Sequence, residues 1–288
     1  MSASLPATTM RAIEAPDRFV EVQGRRLAYR DIGSGTPLLL CTRFRGTLDY
    51  WDPAFLDALA ALGFRVITFD YSGLGASTGT PDYGPTALAQ DANDLAEALQ
   101  LERFVLGGWS LGGLAAQVFL ARWPQRLTHL VLMGSGPPGD LVKAPEQLFY
   151  DTASVEVNSL EDEVILFFEP MSVASQEAAR ASHERIASRP GATGVPVPID
   201  FARAALGDRP RNPVFPAPQV LEVLRHTDIP VLHIGGDHDV SFPVENWYAL
   251  NNALPTLQLL TFPRTGHAPQ HQHPQACAEA IRCFVAYA

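Results

Sequence analysis

Along most of this chain, short and continuously apolar runs alternate with longer segments of helical periodicity, and that alternation constrains the fold more than any other feature. Residues 37–41, 65–69, 104–107, 130–133, 230–234 and 257–262 read as strands. Residues 52–62, 86–99, 111–123, 244–254 and 274–286 carry apolar side chains at helical spacing. Strands that are apolar on both faces belong to a sheet covered on both sides, and strands alternating with helices run parallel with right-handed crossovers. Residues 18–31 differ. They alternate apolar and polar side chains on either side of Gln23-Gly24-Arg25, the pattern of a β-hairpin. The expected fold is therefore α/β, with an eight-stranded, mostly parallel sheet and helices on both faces.

The rhythm breaks between about Gly136 and Asp228. This stretch offers helix candidates at 161–168, 175–188 and 218–226 but no buried strand. Seven prolines from Pro190 to Pro218, with Gly191 and Gly194 among them, predict loop or short broken helix there. The expected organisation is a core of residues 18–135 and 229–288, a helical cap inserted at 136–228, and an N-terminal extension of residues 1–17.

Composition narrows the function classes. Lys plus Arg is 21 against 31 for Asp plus Glu, a net charge of -10. Nucleic-acid and anionic-membrane surfaces call for a basic face, so neither partner is expected. Three cysteines without a C-x-x-C pair predict buried thiols rather than a disulfide scaffold or zinc site. The N-terminus lacks the basic start and apolar core of a signal peptide, and no apolar run approaches the length of a membrane span. A cytoplasmic protein acting on a small molecule is the expectation; oligomeric state stays open.

Gly108-Trp109-Ser110-Leu111-Gly112 stands between an apolar strand and an apolar-periodic helix. In that setting G-x-S-x-G marks a nucleophile elbow, a turn so tight that flanking side chains would collide with backbone. Ser110 then stands at a helix N-terminus, where the dipole and free N–H groups favour developing negative charge. A serine nucleophile needs a base and an orienting acid, and behind a nucleophile elbow of this kind they follow in the order acid then histidine. The loop after the strand at 230–234 offers Asp237 and Asp239, and the loop after 257–262 offers His267. Both loops leave the edge of the sheet that Ser110 occupies, where open α/β sheets bind ligands. His271 and His273 follow His267, but no paired carboxylate or cysteine completes a metal set, so no metal and no cofactor are expected.

These motifs resemble those of the α/β-hydrolase fold superfamily, from about Phe19 onward. Gly236, Asp239 and Pro243 match the family's G-x-x-D-x-x-x-P, which implies Asp239 rather than Asp237 as the acid. Gly266-His267 matches its Gly-His, and Asp70-Tyr71-Ser72-Gly73-Leu74-Gly75-Ala76-Ser77 is similar to its D-x-x-G-x-G-x-S loop. The resemblance implies a catalytic set of Ser110, Asp239 and His267, with the backbone N–H groups of Leu111 and Phe44 as oxyanion donors. Haloalkane dehalogenases and epoxide hydrolases of similar fold carry Asp where Ser110 stands, so neither activity is implied.

One departure is plain. Many members open the loop after the third strand with His-Gly; this chain has Thr42-Arg43-Phe44-Arg45. Arg43 and Arg45 have two readings, contact with an acidic substrate or ion pairing with Asp49 or Asp52, and pairing is the expected one. Trp109, Phe168 and Met171 are further candidate substrate contacts. Leu166, Phe167, Phe168 and Met171 are expected mainly to glue the insertion to the sheet. The expected activity is hydrolysis of a small carboxylic ester or lactone through an acyl-serine, of carboxylesterase or lactonase type. Alternatives are C–C bond hydrolysis, acyl transfer or perhydrolysis, cofactor-free oxygen chemistry, or a small-molecule receptor without catalysis.

Overall fold

The computed structural model describes residues 10–190, 196–213, 215 and 217–288. Much of the expected N-terminal extension and part of the proline-rich stretch therefore lie outside the described residues. The strands are β1 (Arg18–Val22), β2 (Arg25–Gly33), β3 (Thr36–Cys41), β4 (Phe64–Phe69), β5 (Phe104–Trp109), β6 (Leu127–Met133), β7 (Val231–Gly236) and β8 (Leu257–Phe262). They form one sheet in the order β1-β2-β4-β3-β5-β6-β7-β8. The β1–β2 hairpin and the β2–β4 pair are antiparallel, and every pairing from β4 to β8 is parallel.

The apolar runs are buried on both faces for the reason the sequence implies. Leu38, Leu40, Val66, Val105, Val131, Leu232 and Ile234 point to one core, which α1 (Pro53–Ala61) and α11 (Pro274–Tyr287) cover. Leu39, Cys41, Ile67, Leu106, Leu130 and Leu132 point to the other, beneath α2 (Pro85–Ala98) and α3 (Leu111–Arg122). Successive residues of one strand thus serve opposite layers.

Among the described residues between β6 and β7 there are five helices: α4 (Gln147–Ala153), α5 (Leu160–Phe167), α6 (Val173–Ala187), α7 (Ile199–Leu206) and α8 (Pro218–His226). No strand occurs there among the described residues. Ser159 opens α5 with a capping box to Asp162. A half-buried ion pair ties this insertion to the core: Arg185 of α6 donates to both oxygens of Asp52, at 2.9 and 2.6 Å, and Asp52 is fully buried.

Several local expectations need correction. The stretch rich in proline, where loop or short helix is expected, holds the short helix α7, whose eight residues lie between Pro198 and Pro210 and end on Gly207 at φ 80°. α4 had no distinct sequence signal. The helix expected at 244–254 shrinks to α9 (Glu245–Tyr248), and the chain then turns, with Asn252 in the left-handed region at φ 66°. α10 (Pro269–Gln272) is a further short helix directly after His267. Of the thiols, Cys41 and Cys277 are buried but Cys283 is exposed. No helix among the described residues is long and apolar enough to cross a membrane.

Candidate active site

β3 is the point at which the sheet order reverses: the chain adds β4 on one side of it and then crosses to add β5 on the other. The crevice above the C-terminal ends of β3 and β5 is the place where such sheets bind ligands. The loop 42–46 leaves β3 there, and Ser110 leaves β5 there.

Ser110 sits at φ 58°, ψ −122°, a backbone conformation that L-residues rarely adopt. Its neighbours explain how this is tolerated. A Cβ on Gly108 would lie 2.6 Å from the nitrogen of Gly113, and one on Gly112 would lie 2.6 Å from the carbonyl oxygen of Thr42. Neither position has room for a side chain. The glycines therefore let β5, α3 and the end of β3 close to within backbone contact. Ser110 N–H donates to Met133 O at 2.9 Å, which fixes the elbow to β6.

Ser110 Oγ lies 2.8 Å from His267 Nε2, and His267 Nδ1 lies 2.8 Å from Asp239 Oδ2. All three side chains are buried. The ionised carboxylate only accepts, so Nδ1–H donates to it and Nε2 is left to accept from the serine hydroxyl. Asp239 Oδ1 accepts from the N–H groups of Ser241 and Phe242, both at 2.8 Å. Burial pulls the Asp239 pKa upward, but the charge and hydrogen bond of His267 and the two backbone donors outweigh it and hold it below the usual carboxylate value. Asp237 has a different setting: it is partly exposed and bonds to its neighbour His238 at 2.6 Å. The structure therefore brings Asp239, not Asp237, to His267.

The surroundings of His267 are aromatic. Phe167 stacks on it at 6.3 Å between centroids, and Phe242, Phe149 and Trp109 approach at 5.6, 6.4 and 6.2 Å. Trp109 Nε1 donates to His267 O at 2.9 Å, and Ala268 N donates to Phe167 O at 2.9 Å. His267 is thereby fixed both to the elbow and to the inserted helices. Trp109 braces His267 rather than lining the recesses at Ser110.

Two recesses open on Ser110. One, of about 160 Å³, is walled largely by Phe44, Tyr83, Leu111, Leu114, Phe149 and Phe242. The other, of about 20 Å³, lies between Arg43, Arg45, Phe149, Phe167 and His267. Among the described residues, the N–H groups of Phe44 and Leu111 donate to no protein acceptor. Both residues border Ser110, as oxyanion donors must. The departing loop is held by hydrogen bonds to its surroundings. Tyr71 donates to Thr42 O at 3.1 Å, Arg45 N donates to Tyr83 Oη at 3.0 Å, and Gly46 N closes a turn on Arg43 O. Asp70 supports the same region by accepting from Leu48 N and Ala76 N. The D-x-x-G-x-G-x-S loop is thus a scaffold for residues 42–48.

The expected pairing of Arg43 and Arg45 with Asp49 or Asp52 is not found. Asp49 is taken by Arg30 and Asp52 by Arg185. Arg45 donates instead to the carbonyls of Ala153, Val155 and Glu156 at 3.0, 2.7 and 2.7 Å. Arg43 lies among the rings of Phe167, Tyr50 and Trp109, at 4.6, 4.8 and 5.3 Å. Sequence distance misled here, because buried carboxylates take partners from other elements. Met171 is 90 % exposed and borders neither recess, because it follows the turn at Pro170 onto the outer surface. Phe168 is buried with its backbone against Gly266 and lines a neighbouring chamber, not the Ser110 recesses. Tyr83, Phe149 and Phe242 escaped sequence reasoning, since nothing in a lone aromatic residue says which loop it will face.

The other histidines do not gather on an ion. His271 is buried, accepts from Asp52 N at 3.4 Å and faces Ser182 Oγ at 3.3 Å. His273 bonds to Thr265 Oγ1 at 3.0 Å and stacks on Phe262. Among the described residues no group of three His, Cys, Asp or Glu side chains is placed to hold a metal ion.

Comparison with known proteins gives a consistent picture. The family model of the alpha/beta hydrolase fold matches residues 36–274. An uncharacterized protein of Mycobacterium tuberculosis is 30% identical over 93% of this chain and 80% of its own length. A putative non-heme bromoperoxidase of the same species is 27% identical over 90% of this chain and 97% of its own. Among solved structures, an alpha/beta hydrolase fold protein from Chitinophaga pinensis superimposes with a TM-score of 0.78 at 24% identity, covering 97% of this chain and all of its own. A thermophilic esterase from Thermogutta terrifontis gives 0.71 at 26% identity, with 94% and 98% covered.

Proposed function

This chain belongs to the α/β-hydrolase fold family, and on that premise we propose that it is a serine hydrolase that cleaves a small carboxylic ester or lactone through an acyl-Ser110 intermediate. The observation that carries the reading is the buried chain of two 2.8 Å hydrogen bonds from Ser110 Oγ through His267 to Asp239. His267 Nε2 takes the hydroxyl proton as Oγ attacks the carbonyl carbon. Asp239 orients the ring and stabilises its charged form. The carbonyl oxygen becomes an oxyanion held by the N–H groups of Phe44 and Leu111, each donor contributing about 10²–10³ in rate. His267 then returns its proton to the departing alcohol oxygen. Water attacks the acyl-enzyme with His267 again as base, releasing the acid and restoring Ser110. No cofactor enters these steps. The helices between β6 and β7 act as the cap, at about residues 136–228, because α4 and α5 bring Phe149 and Phe167 over the triad. The reaction suits a small-molecule substrate in the cytoplasm.

A second reading has specific support. The relative named as a putative bromoperoxidase spans nearly the whole chain, and hydrogen peroxide in place of water at the acyl-enzyme would give a peracid from the same residues. Product analysis with water and peroxide as competing acceptors separates the two. The main test is a panel of p-nitrophenyl esters and lactones on wild type and Ser110→Ala. The reading expects turnover of at least one class and a loss of about 10⁴-fold or more in the variant. Undiminished turnover by Ser110→Ala would remove the mechanism.

A further inference from the structure

We propose that the small recess between Ser110, Arg43 and Arg45 binds a carboxylate of the substrate, so that the preferred substrate is a monoester of a short dicarboxylic acid with an apolar alcohol. This inference deepens the hydrolase reading and rests on it. The recess is lined by Arg43, Phe44, Arg45, Phe149, Asn158, Phe167 and His267, together with Ser110. Among the described residues, two arginines and no carboxylate line it, in a chain of net charge -10. Neither arginine forms an ion pair with any described residue. Arg45 is spent on three carbonyl oxygens of the insertion, which anchors it but leaves its charge unneutralised. Among the described residues, Arg43 has one hydrogen-bond partner, the carbonyl oxygen of Phe44 at 2.7 Å, and its enclosed Nε has none.

A desolvated cation without an anion is costly, and a planar guanidinium matches a carboxylate with two parallel donors. Burial pulls the Arg43 pKa down to about 10 and outweighs the opposing pull of Tyr50 and Glu163. The aromatic cage of Tyr50, Trp109 and Phe167 holds the group in place before ligand arrives, so little ordering cost remains. On the far side of Arg43 lies a chamber of about 250 Å³ that also contains Glu163, His183 and His271. There Glu163 is engaged by His183 at 2.8 Å, and its charge disfavours an anion. The carboxylate is thus assigned to the Ser110 side.

Size sets the spacing. A volume of about 20 Å³ accommodates one small polar group rather than a chain. The carboxylate must then lie within a few bonds of the scissile carbonyl. The mostly apolar recess of about 160 Å³ on the other side of Ser110, with Arg211 in its wall, takes the alcohol.

The test compares p-nitrophenyl hydrogen succinate with neutral p-nitrophenyl valerate, and with the longer adipate monoester, on wild type, Arg43→Gln and Arg43→Lys. Wild type should favour succinate over valerate in kcat/KM by about tenfold or more, and over adipate as well. Arg43→Gln should lower the succinate-to-valerate ratio by about 30-fold, mostly through KM, and Arg43→Lys should restore part of it. A ratio unmoved by Arg43→Gln, or a wild-type preference for valerate, overturns the inference while leaving the hydrolase reading intact. A second measurement is calorimetric binding of the non-activated monobenzyl succinate to Ser110→Ala, with and without Arg43→Gln. Binding that depends on Arg43, together with a wild type that turns over no ester, would uphold the anion site and overturn the reaction class. Absence of Arg43-dependent binding counts against the site.

Discussion

Replacing Asp239 by Asn should cost about 10⁴ in kcat while leaving the fold almost unchanged. Asp239 Oδ1 accepts two backbone N–H groups at 2.8 Å, from Ser241 and Phe242. An amide cannot turn its NH₂ toward those donors, so its oxygen takes that place and its NH₂ faces His267 Nδ1. The ring must then accept at Nδ1 and carry its proton on Nε2, which points at Ser110 Oγ. In that tautomer Nε2 has no lone pair for the serine proton. The effect follows from geometry alone, and triads elsewhere set its scale at about 10⁴, or about 5 kcal/mol of transition-state stabilisation. Every polar contact of the side chain stays paired, so thermal melting should shift little. The assay is initial-rate hydrolysis of a p-nitrophenyl ester beside a melting curve. Asp237→Asn serves as control and should stay within about twofold, since Asp237 is partly exposed and bonds to His238 and Thr265 N rather than to His267. The reasoning is refuted if Asp239→Asn retains activity within about tenfold of wild type, or if Asp237→Asn proves the more damaging change.

Three further outcomes follow from packing and burial. Gly112→Ala places a methyl group within 2.6 Å of Thr42 O; denaturant unfolding should show a loss of about 1–3 kcal/mol, and kcat should fall because the oxyanion loop is displaced. Arg185→Ala strips the buried Asp52 of its ion pair, and urea melts should show a loss on the order of 3 kcal/mol, lessened by the partial exposure of Arg185. Burial lowers the pKa of His271 to about 4, so the unfolded chain binds a proton that the native state refuses. The sign is then fixed: this contribution to stability is complete above about pH 6.5 and is lost as pH falls toward 4, by about 1 kcal/mol per pH unit. His233, also about 4, acts in the same direction, and Asp70, raised by burial to about 6, acts oppositely below pH 6. The difference between wild type and His271→Gln cancels both of those; stability curves of the two proteins should converge as pH falls from 7 to 5, and parallel curves would contradict the assignment.

Much of the frame was legible because it follows from periodicity and steric necessity. Leu38-Leu39-Leu40 reads as a strand buried on both faces, and the two cores divide its side chains between them. Ser110 was legible because only glycine fits at 108 and 112. Asp239 needed the resemblance: spacing alone left Asp237 open, and only the three-dimensional loop shows which carboxylate turns inward. The partners of Arg43 and Arg45 were not legible. The carboxylates near in sequence are claimed by Arg30 and Arg185 from other elements, and no local pattern encodes such competition. The pocket walls failed for a similar reason. Met171 and Phe167 are equally apolar in sequence, yet a turn at Pro170 puts one in solvent and the other on His267. α7 shows that prolines at the boundaries of a segment permit a helix between them.

The claim that Ser110 is the nucleophile is tested most directly by intact-protein mass spectrometry after treatment with a fluorophosphonate, followed by peptide mapping. The account predicts one adduct per chain, on Ser110, formed slowly when His267 is replaced by Ala and not at all in Ser110→Ala. A wild-type protein that takes no label, or that takes it on any other residue, would contradict it.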